Sequence, residues 1–171
     1  MSNTYRMMNL ERDTSGGDIV TVQWDGGQLQ NGMPVTLGAL VTGETEIFYA
    51  QNTGATGSLA TSQVYIVYSP EVMYEAGKAI DDFIIATASP ARAYGLKVGS
   101  RFRIPQSTAS IVSNVTAAVG DCIVMNATGQ NYVVTAQTAA VASFRFVAKV
   151  IELNTIGYDG DSAISVQVIN A

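Results

Sequence analysis

The chain has 171 residues, 47% hydrophobic and only 13% charged, with a net charge of −5. The charged share is about half of the roughly 25% usual for soluble domains, the opposite of a disordered composition. With only 9 Lys and Arg, and no basic stripe, the balance argues against nucleic acid binding, which needs phosphates neutralised.

The length suits one domain or two small ones sharing a core. We divide it into an N-terminal arm (1–17), a first β unit (18–90) and a second β unit (91–171), which could run together as one domain. The arm, Met1 to Gly17, is polar, lacks periodicity and ends in Asp13-Thr14-Ser15-Gly16-Gly17. It reads as a flexible segment that frays or orders on a partner. Arg6 is followed by Met7, Met8 and Asn9 with no apolar stretch behind it, so no secretion signal is expected. No segment approaches the ~20 apolar residues of a membrane span.

Strand signals follow almost continuously. Ile19 to Trp24 is β-branched and aromatic and stops at Asp25-Gly26-Gly27. Met33 to Leu37 follows Asn31-Gly32, a strong hairpin signal because both residues tolerate positive φ. Glu44 to Ala50 is next, then a small-residue loop from Asn52 to Ser62. Gln63 to Tyr68 is a further strand. Pro70 suits a first helical position, and Glu71 to Ile80 is the expected place for one short helix, cut off near Gly77. Phe83 to Thr87 reads as a strand broken at Ser89-Pro90. Ala93–Val98, Arg101–Ile104, Ala109–Thr116, Asp121–Met125, Asn131–Ala136, Phe144–Leu153 and Ala163–Ile169 complete the series. The fold class is therefore mainly β, a small barrel or sandwich with one short helix.

An internal repeat of style is visible. Gly32–Leu37 matches Gly120–Met125, Ile47–Gln51 matches Val133–Gln137, and Val64–Val67 matches Phe144–Val147. Two copies suit paired barrels, or one sandwich built from two halves.

Chemistry is sparse. The chain has no histidine, which removes the commonest general base and metal ligand. Cys122 is the only cysteine, so no intramolecular disulfide, Cys-His pair or structural zinc site can be built. Its setting in Gly120-Asp121-Cys122-Ile123-Val124 reads as a small buried hydrophobe. Asp81-Asp82 would point to opposite faces of a strand and suit a solvated turn better than a glycosidase pair. Asp159-Gly160-Asp161-Ser162 lacks the ligand spacing and closing Glu of a calcium loop. Trp24, Tyr65 and Tyr68 could line a sugar-binding face or serve as core residues. We expect no enzyme activity, no metal and no cofactor. The densest cations, Lys97, Arg101 and Arg103, read either as outward residues flanking Phe102 or as a dock for an acidic partner.

The run Gly32 to Tyr49, then Ile66 to Glu75, Asp81-Asp82-Phe83, Pro90 to Tyr94 and Val98-Gly99 resembles a family of small structural proteins. These are encoded near the major capsid protein in tailed phages and prophages of Gram-positive bacteria. The stretch from Val119-Gly120-Asp121 through Phe144 to Glu152 is similar in hairpin style to phage head decoration proteins. The resemblance implies a cement protein on the outer capsid surface of the virion, made in the host cytoplasm. It implies the major capsid protein and other copies of itself, plausibly as a trimer, as partners. Tyr5, Arg6, Arg12, Arg101 and Arg103 are the candidate partner contacts. The alternative is a carbohydrate-binding or adhesive module of a phage tail or fibre.

Overall fold

A computed structural model describes residues 9–12, 18–52, 61–69, 83–106, 111, 116–126, 131–136, 143–154 and 162–171. Among these the chain is mainly β, with eleven strands: β1 (Asn9–Arg12), β2 (Asp18–Gln23), β3 (Pro34–Leu40), β4 (Ile47–Gln51), β5 (Tyr65–Val67), β6 (Ala91–Gly95), β7 (Arg101–Pro105), β8 (Cys122–Met125), β9 (Tyr132–Thr135), β10 (Val147–Asn154) and β11 (Ala163–Asn170). Strands β2-β4-β3-β5-β6 form a closed barrel, and β1-β7-β11-β10-β8-β9 form a six-stranded sheet. The expected helix over 71–80 lies outside the described residues.

The barrel closes by a parallel ladder, with Thr21, Val22 and Gln23 of β2 opposite Ile47, Phe48 and Tyr49 of β4. Its other joins are antiparallel. Val22, Val35, Ala50, Tyr65, Val67, Ala91 and Ala93 fill it, with Leu29 and Ile85. The Phe83–Thr87 run is not a strand. Only Ile85 pairs, exchanging both backbone hydrogen bonds with Leu29 at 2.9 and 3.0 Å. Its apolar character serves the barrel core rather than a ladder.

The boundary between the two sheets falls between Gly95 and Arg101, later than residue 90. Strand β6 pairs with both β2 and β5, so the barrel cannot close without Ala91–Gly95. The N-terminal segment also departs from a plain arm, because Asn9–Arg12 is the edge strand β1, antiparallel to β7. The rest of 1–17 lies outside the described residues.

The two sheets share one pairing scheme. Around the barrel, β2 neighbours β6, then β5, β3 and β4; in the sheet, β7 neighbours β11, then β10, β8 and β9. The turns entering β3 and β8 match bond for bond. Gly32 N–H donates to the Val67 carbonyl at 2.8 Å, and Val67 N–H to the Met33 carbonyl at 2.9 Å. Gly120 N–H donates to Val150 at 2.9 Å, and Val150 N–H to Asp121 at 2.8 Å. Both glycines have positive φ, 91° and 97°, a region L residues rarely adopt. Even the side-chain locks correspond. Gln30 N–H meets Met33 Sδ at 3.3 Å, and Ala118 N–H meets Asp121 Oδ2 at 2.9 Å.

This geometry corrects two of the three sequence matches. Gly32–Leu37 does superpose on Gly120–Met125. Leu37 faces Ala50 while Met125 faces Tyr132, so Ala50 corresponds to Tyr132 rather than Ala136. Val35 faces Tyr65 while Ile123 faces Ala148, so Val67 corresponds to Val150 rather than Val147. The units differ at closure. Where β4 lies along β2, the matching edge of β7 carries β1. Among the described residues, the parallel pairing on that side is one bridge between Ile111 and Tyr132.

Strand β5 is the shared wall. Tyr65 and Val67 point into the barrel, while Val64 and Ile66 belong to the core under the second sheet with Phe102, Ile104, Tyr132 and Phe146. A strand buried on both faces reads as a continuous apolar run, as Val64-Tyr65-Ile66-Val67 does. The rings of Phe102 and Tyr132 lie 6.5 Å apart, and those of Phe102 and Phe146 6.4 Å apart. The buried Tyr132 hydroxyl donates to the Gly32 carbonyl at 2.8 Å, joining the units across 100 residues of sequence.

Candidate functional site

Two of the candidate contact residues, Arg101 and Arg103, share one face. In β7, Arg101 and Arg103 alternate with the buried Phe102 and Ile104. Phe102 and Ile104 enter the core, so the arginines occupy the outward side, as strand pleating requires. Arg103 faces Ser165 and Arg101 faces Gln167 on β11. Gln167 in turn faces Lys149 on β10. Directly opposed residues in an antiparallel pair share a face, so Arg101, Gln167 and Lys149 form one row. Arg101 Nε donates to Gln167 Oε1 and Arg103 Nε donates to Ser165 Oγ, both at 3.3 Å. These bonds lay the guanidinium groups along the sheet. Arg12 sits opposite Arg101 in the β1–β7 register. Tyr5 and Arg6 lie outside the described residues.

Beyond Lys149 the row runs into a small buried apolar cluster. Cys122 faces Lys149, and the small cluster of Cys122, Val124 and Val147 is flanked by the partly exposed Val133, Phe144 and Ile169. A cleft of about 230 Å³ beside it is lined by Val124, Met125, Asn126, Val133, Val134, Thr135 and Phe144. Lys97 is exposed in the turn after β6, closed by Ser100 N–H donating to its carbonyl at 3.0 Å. It does not share the strand positions of Arg101 and Arg103.

The other sequence candidates fall to structural roles or outside the described residues. Cys122 has 0% exposure, and burial pushes its thiol pKa up, with Asp121 adding to the rise and Lys149 opposing it. Such a thiol is a poor nucleophile. Tyr65 belongs to the barrel core, and burial, aided by the Asp18 charge and opposed by Arg145, raises its phenol pKa. Tyr68 stacks edge-on against Tyr94 at 6.0 Å. Trp24 packs against the barrel core and over Gly26, where an added Cβ would lie 2.9 Å from the indole nitrogen. Asp81-Asp82 and Asp159–Asp161 lie outside the described residues. Among the described residues no group of three or more His, Cys, Asp or Glu is placed to hold a metal ion, and no helix is long and apolar enough to cross a membrane.

Sequence reasoning missed one polar feature. A cleft of about 350 Å³ on the barrel is lined by Thr36, Leu37, Gln51, Asn52, Ser62, Gln63 and Tyr65. The buried Asn52 Oδ1 has no hydrogen-bond partner among the described residues. Its walls come from β3, β4 and the entry to β5, so no local motif could have marked it.

No protein-family model matches the chain, and no curated protein or solved structure matches it significantly.

Proposed function

We propose that this protein is a virion structural protein of a tailed phage that binds the outside of the capsid and stabilises it, acting by contact and without catalysis. The observation that carries the reading is the outward face of the six-stranded sheet. Its candidate contacts stand on rigid strands, and β1 ties the N-terminal segment to the edge beside them. Tyr5 and Arg6 precede β1 in the sequence and lie outside the described residues. A weakly charged body desolvates at low cost, and repeated copies on a shell add avidity. The resemblance to head decoration proteins supports the same reading, with the major capsid protein as partner.

The test is binding to expanded capsids, comparing the full chain with a variant lacking residues 1–8, which keeps β1. We expect saturable binding by the full chain and at least about a tenfold loss on truncation. No binding by the full chain refutes the reading, and unchanged binding by the truncated chain refutes the role of Tyr5 and Arg6. The polar cleft beside Tyr65, with Gln51, Asn52 and Gln63, favours a second reading as a carbohydrate-binding module. Glycan binding without capsid affinity would put that reading first.

A further inference from the structure

We propose that the polar cleft on the barrel is a site for one neutral sugar unit, held by the side-chain amides of Gln51, Asn52 and Gln63. This names the ligand within the carbohydrate reading of that cleft and rests on it. It uses none of the residues assigned to capsid contact, so both activities can belong to one chain.

The argument starts from two glycines. Gly38 lies inside β3 and Gly95 ends β6, and a glycine in a strand weakens it. Neither is among the glycines with positive φ, so the backbone does not require one at either place. The space above each does. A Cβ on Gly38 would lie 2.5 Å from Gln51 Nε2 and 2.6 Å from its Cδ. A Cβ on Gly95 would lie 2.8 Å from Gln63 Nε2 and 3.1 Å from Tyr65 Cε1. Each glycine is thus a seat that lets a glutamine amide lie against the sheet. Both seated amides line the cleft of about 350 Å³, together with Asn52 and Tyr65.

The floor of the cleft is fixed. Thr36 faces Gln51 across β3 and β4, and its hydroxyl donates to the Gln51 carbonyl at 3.1 Å. Tyr65 faces Val35 across β5 and β3. Strands β3, β4 and β5 are each paired on both sides, so the cleft has no open strand edge for an extended peptide.

The chemistry of the walls selects the ligand. No Asp, Glu, Lys or Arg is among the described lining residues. The charges that act on the Tyr65 phenol, Asp18 and Arg145, are opposite in sign, and Arg145 is engaged, with Nη1 donating to the Thr61 carbonyl at 2.9 Å. A charged ligand therefore gains little there. An amide sets an N–H donor beside a carbonyl acceptor, and a sugar hydroxyl can meet either. Asn52 Oδ1 is covered and has no hydrogen-bond partner among the described residues, so no donor holds that carbonyl in place. Terminal amide torsions are broad, and a turn about this one presents Oδ1 to a ligand hydroxyl with little strain. Leu37 and Tyr65 supply apolar carbon for the C–H face of a pyranose. A volume of about 350 Å³ is at the low end of the roughly 300–1,000 Å³ of small-molecule sites, which suits one ring rather than a chain of them.

The experiment is saturation-transfer NMR with titration calorimetry on the full chain. The probes are glucose, galactose, mannose and N-acetylglucosamine, beside glucuronic and N-acetylneuraminic acids. The proposal expects a Kd on the order of 1 mM for at least one neutral sugar, with both acids at least about tenfold weaker. Gln51→Ala and Gln63→Ala should each weaken binding about three- to tenfold. Gln51 is exposed, so its replacement is not expected to disturb the fold, and a Tm close to wild type checks this. Gly38→Ala should match Gln51→Ala by displacing the same amide. Added to Gln51→Ala, it should cost less than about a further twofold, because the glycine acts through that amide. No binding of any sugar overturns this proposal and the carbohydrate reading together. Binding that favours the acids, or that survives both glutamine substitutions, overturns this proposal alone. A larger further loss on adding Gly38→Ala overturns the glycine seat and with it the placement of Gln51. Capsid binding is not read in any of these arms, so failure here and failure of the capsid reading are separate results.

Discussion

Replacing Tyr132 with Phe removes one hydroxyl and leaves every carbon of the ring in place. That hydroxyl donates to the Gly32 carbonyl at 2.8 Å inside a buried contact, and Tyr132 itself has 0% exposure. A net hydrogen bond contributes about 0.5–1.5 kcal/mol, and an acceptor left unsatisfied in the interior costs about 1–3 kcal/mol. The variant should therefore lose about 1–3 kcal/mol. For a chain of this size, about 2–4 °C of Tm accompanies each kcal/mol, giving a fall of about 2–12 °C. The two units share the core around Ile66 and Phe102, so unfolding should remain a single transition whose urea slope matches wild type. Chemical denaturation followed by Trp24 fluorescence and far-UV dichroism gives both numbers. Coincident stability of variant and wild type would refute the buried tie. Two separated transitions in wild type would refute the shared core.

Three further outcomes follow. Gly120→Ala should cost about 1–3 kcal/mol although an added Cβ meets nothing within 4 Å, because the strain lies in the backbone at φ 97°; a calorimetric Tm equal to wild type would contradict this. Cys122 should resist a thiol reagent at pH 8 in the folded protein and react at once in denaturant, and rapid native labelling would show that its burial is wrong. Tyr65 and Cys122 both have acid pKa values raised by folding, so the native state holds their protons longer than the unfolded chain does. Stability is then complete below the unfolded pKa values, near 8.5 and 10, and falls as pH rises through them. Tyr65→Phe with Cys122→Ala should flatten the loss between pH 8 and 11, and an unchanged slope would exclude these groups as its source.

Most strands were legible because their residues announce burial. Val64-Tyr65-Ile66-Val67 is apolar throughout since it walls two cores, and Arg101-Phe102-Arg103-Ile104 alternates since one side is wet. What the sequence could not carry was partnership. Asn31-Gly32 looked like the tip of a two-strand hairpin. The turn is there, but β2 pairs with β4 and β6, not with β3. Asn31 instead clamps Ser69, donating from Nδ2 to its carbonyl at 2.9 Å and accepting its N–H on Oδ1 at 2.8 Å. Strand β1 escaped notice because Asn-Leu-Glu-Arg has no apolar alternation, and an edge strand needs only backbone pairing with β7. The drift in the repeat has the same origin. The pleat repeats every two residues, so the slip of four from Ala136 to Tyr132 leaves the inward and outward pattern intact, whereas the slip of three from Val147 to Val150 passes unnoticed because the Phe144–Val150 run is apolar on both sides at several positions.

The arginine face shows how far local pattern reaches. Arg101 and Arg103 could be marked as outward from the residues between them, and that part needed no fold. Their company could not be read locally, because Gln167 is 66 residues from Arg101 and Ser165 is 62 residues from Arg103. Lys149 joins the row only through β11, which lies between β7 and β10. The acidic β3–β4 turn, by contrast, is contiguous in sequence at Glu44–Glu46 and sits in the unit that lacks this face. A scheme used twice thus ends with unlike surfaces. The first unit closes on itself through β2 and β4 and carries the negative charge. The second gives its matching edge to β1 and spreads its cations on an open sheet. The units are not electrostatically independent, since Asp18 of the first and Arg145 of the second both act on Tyr65 in the strand that the two cores share.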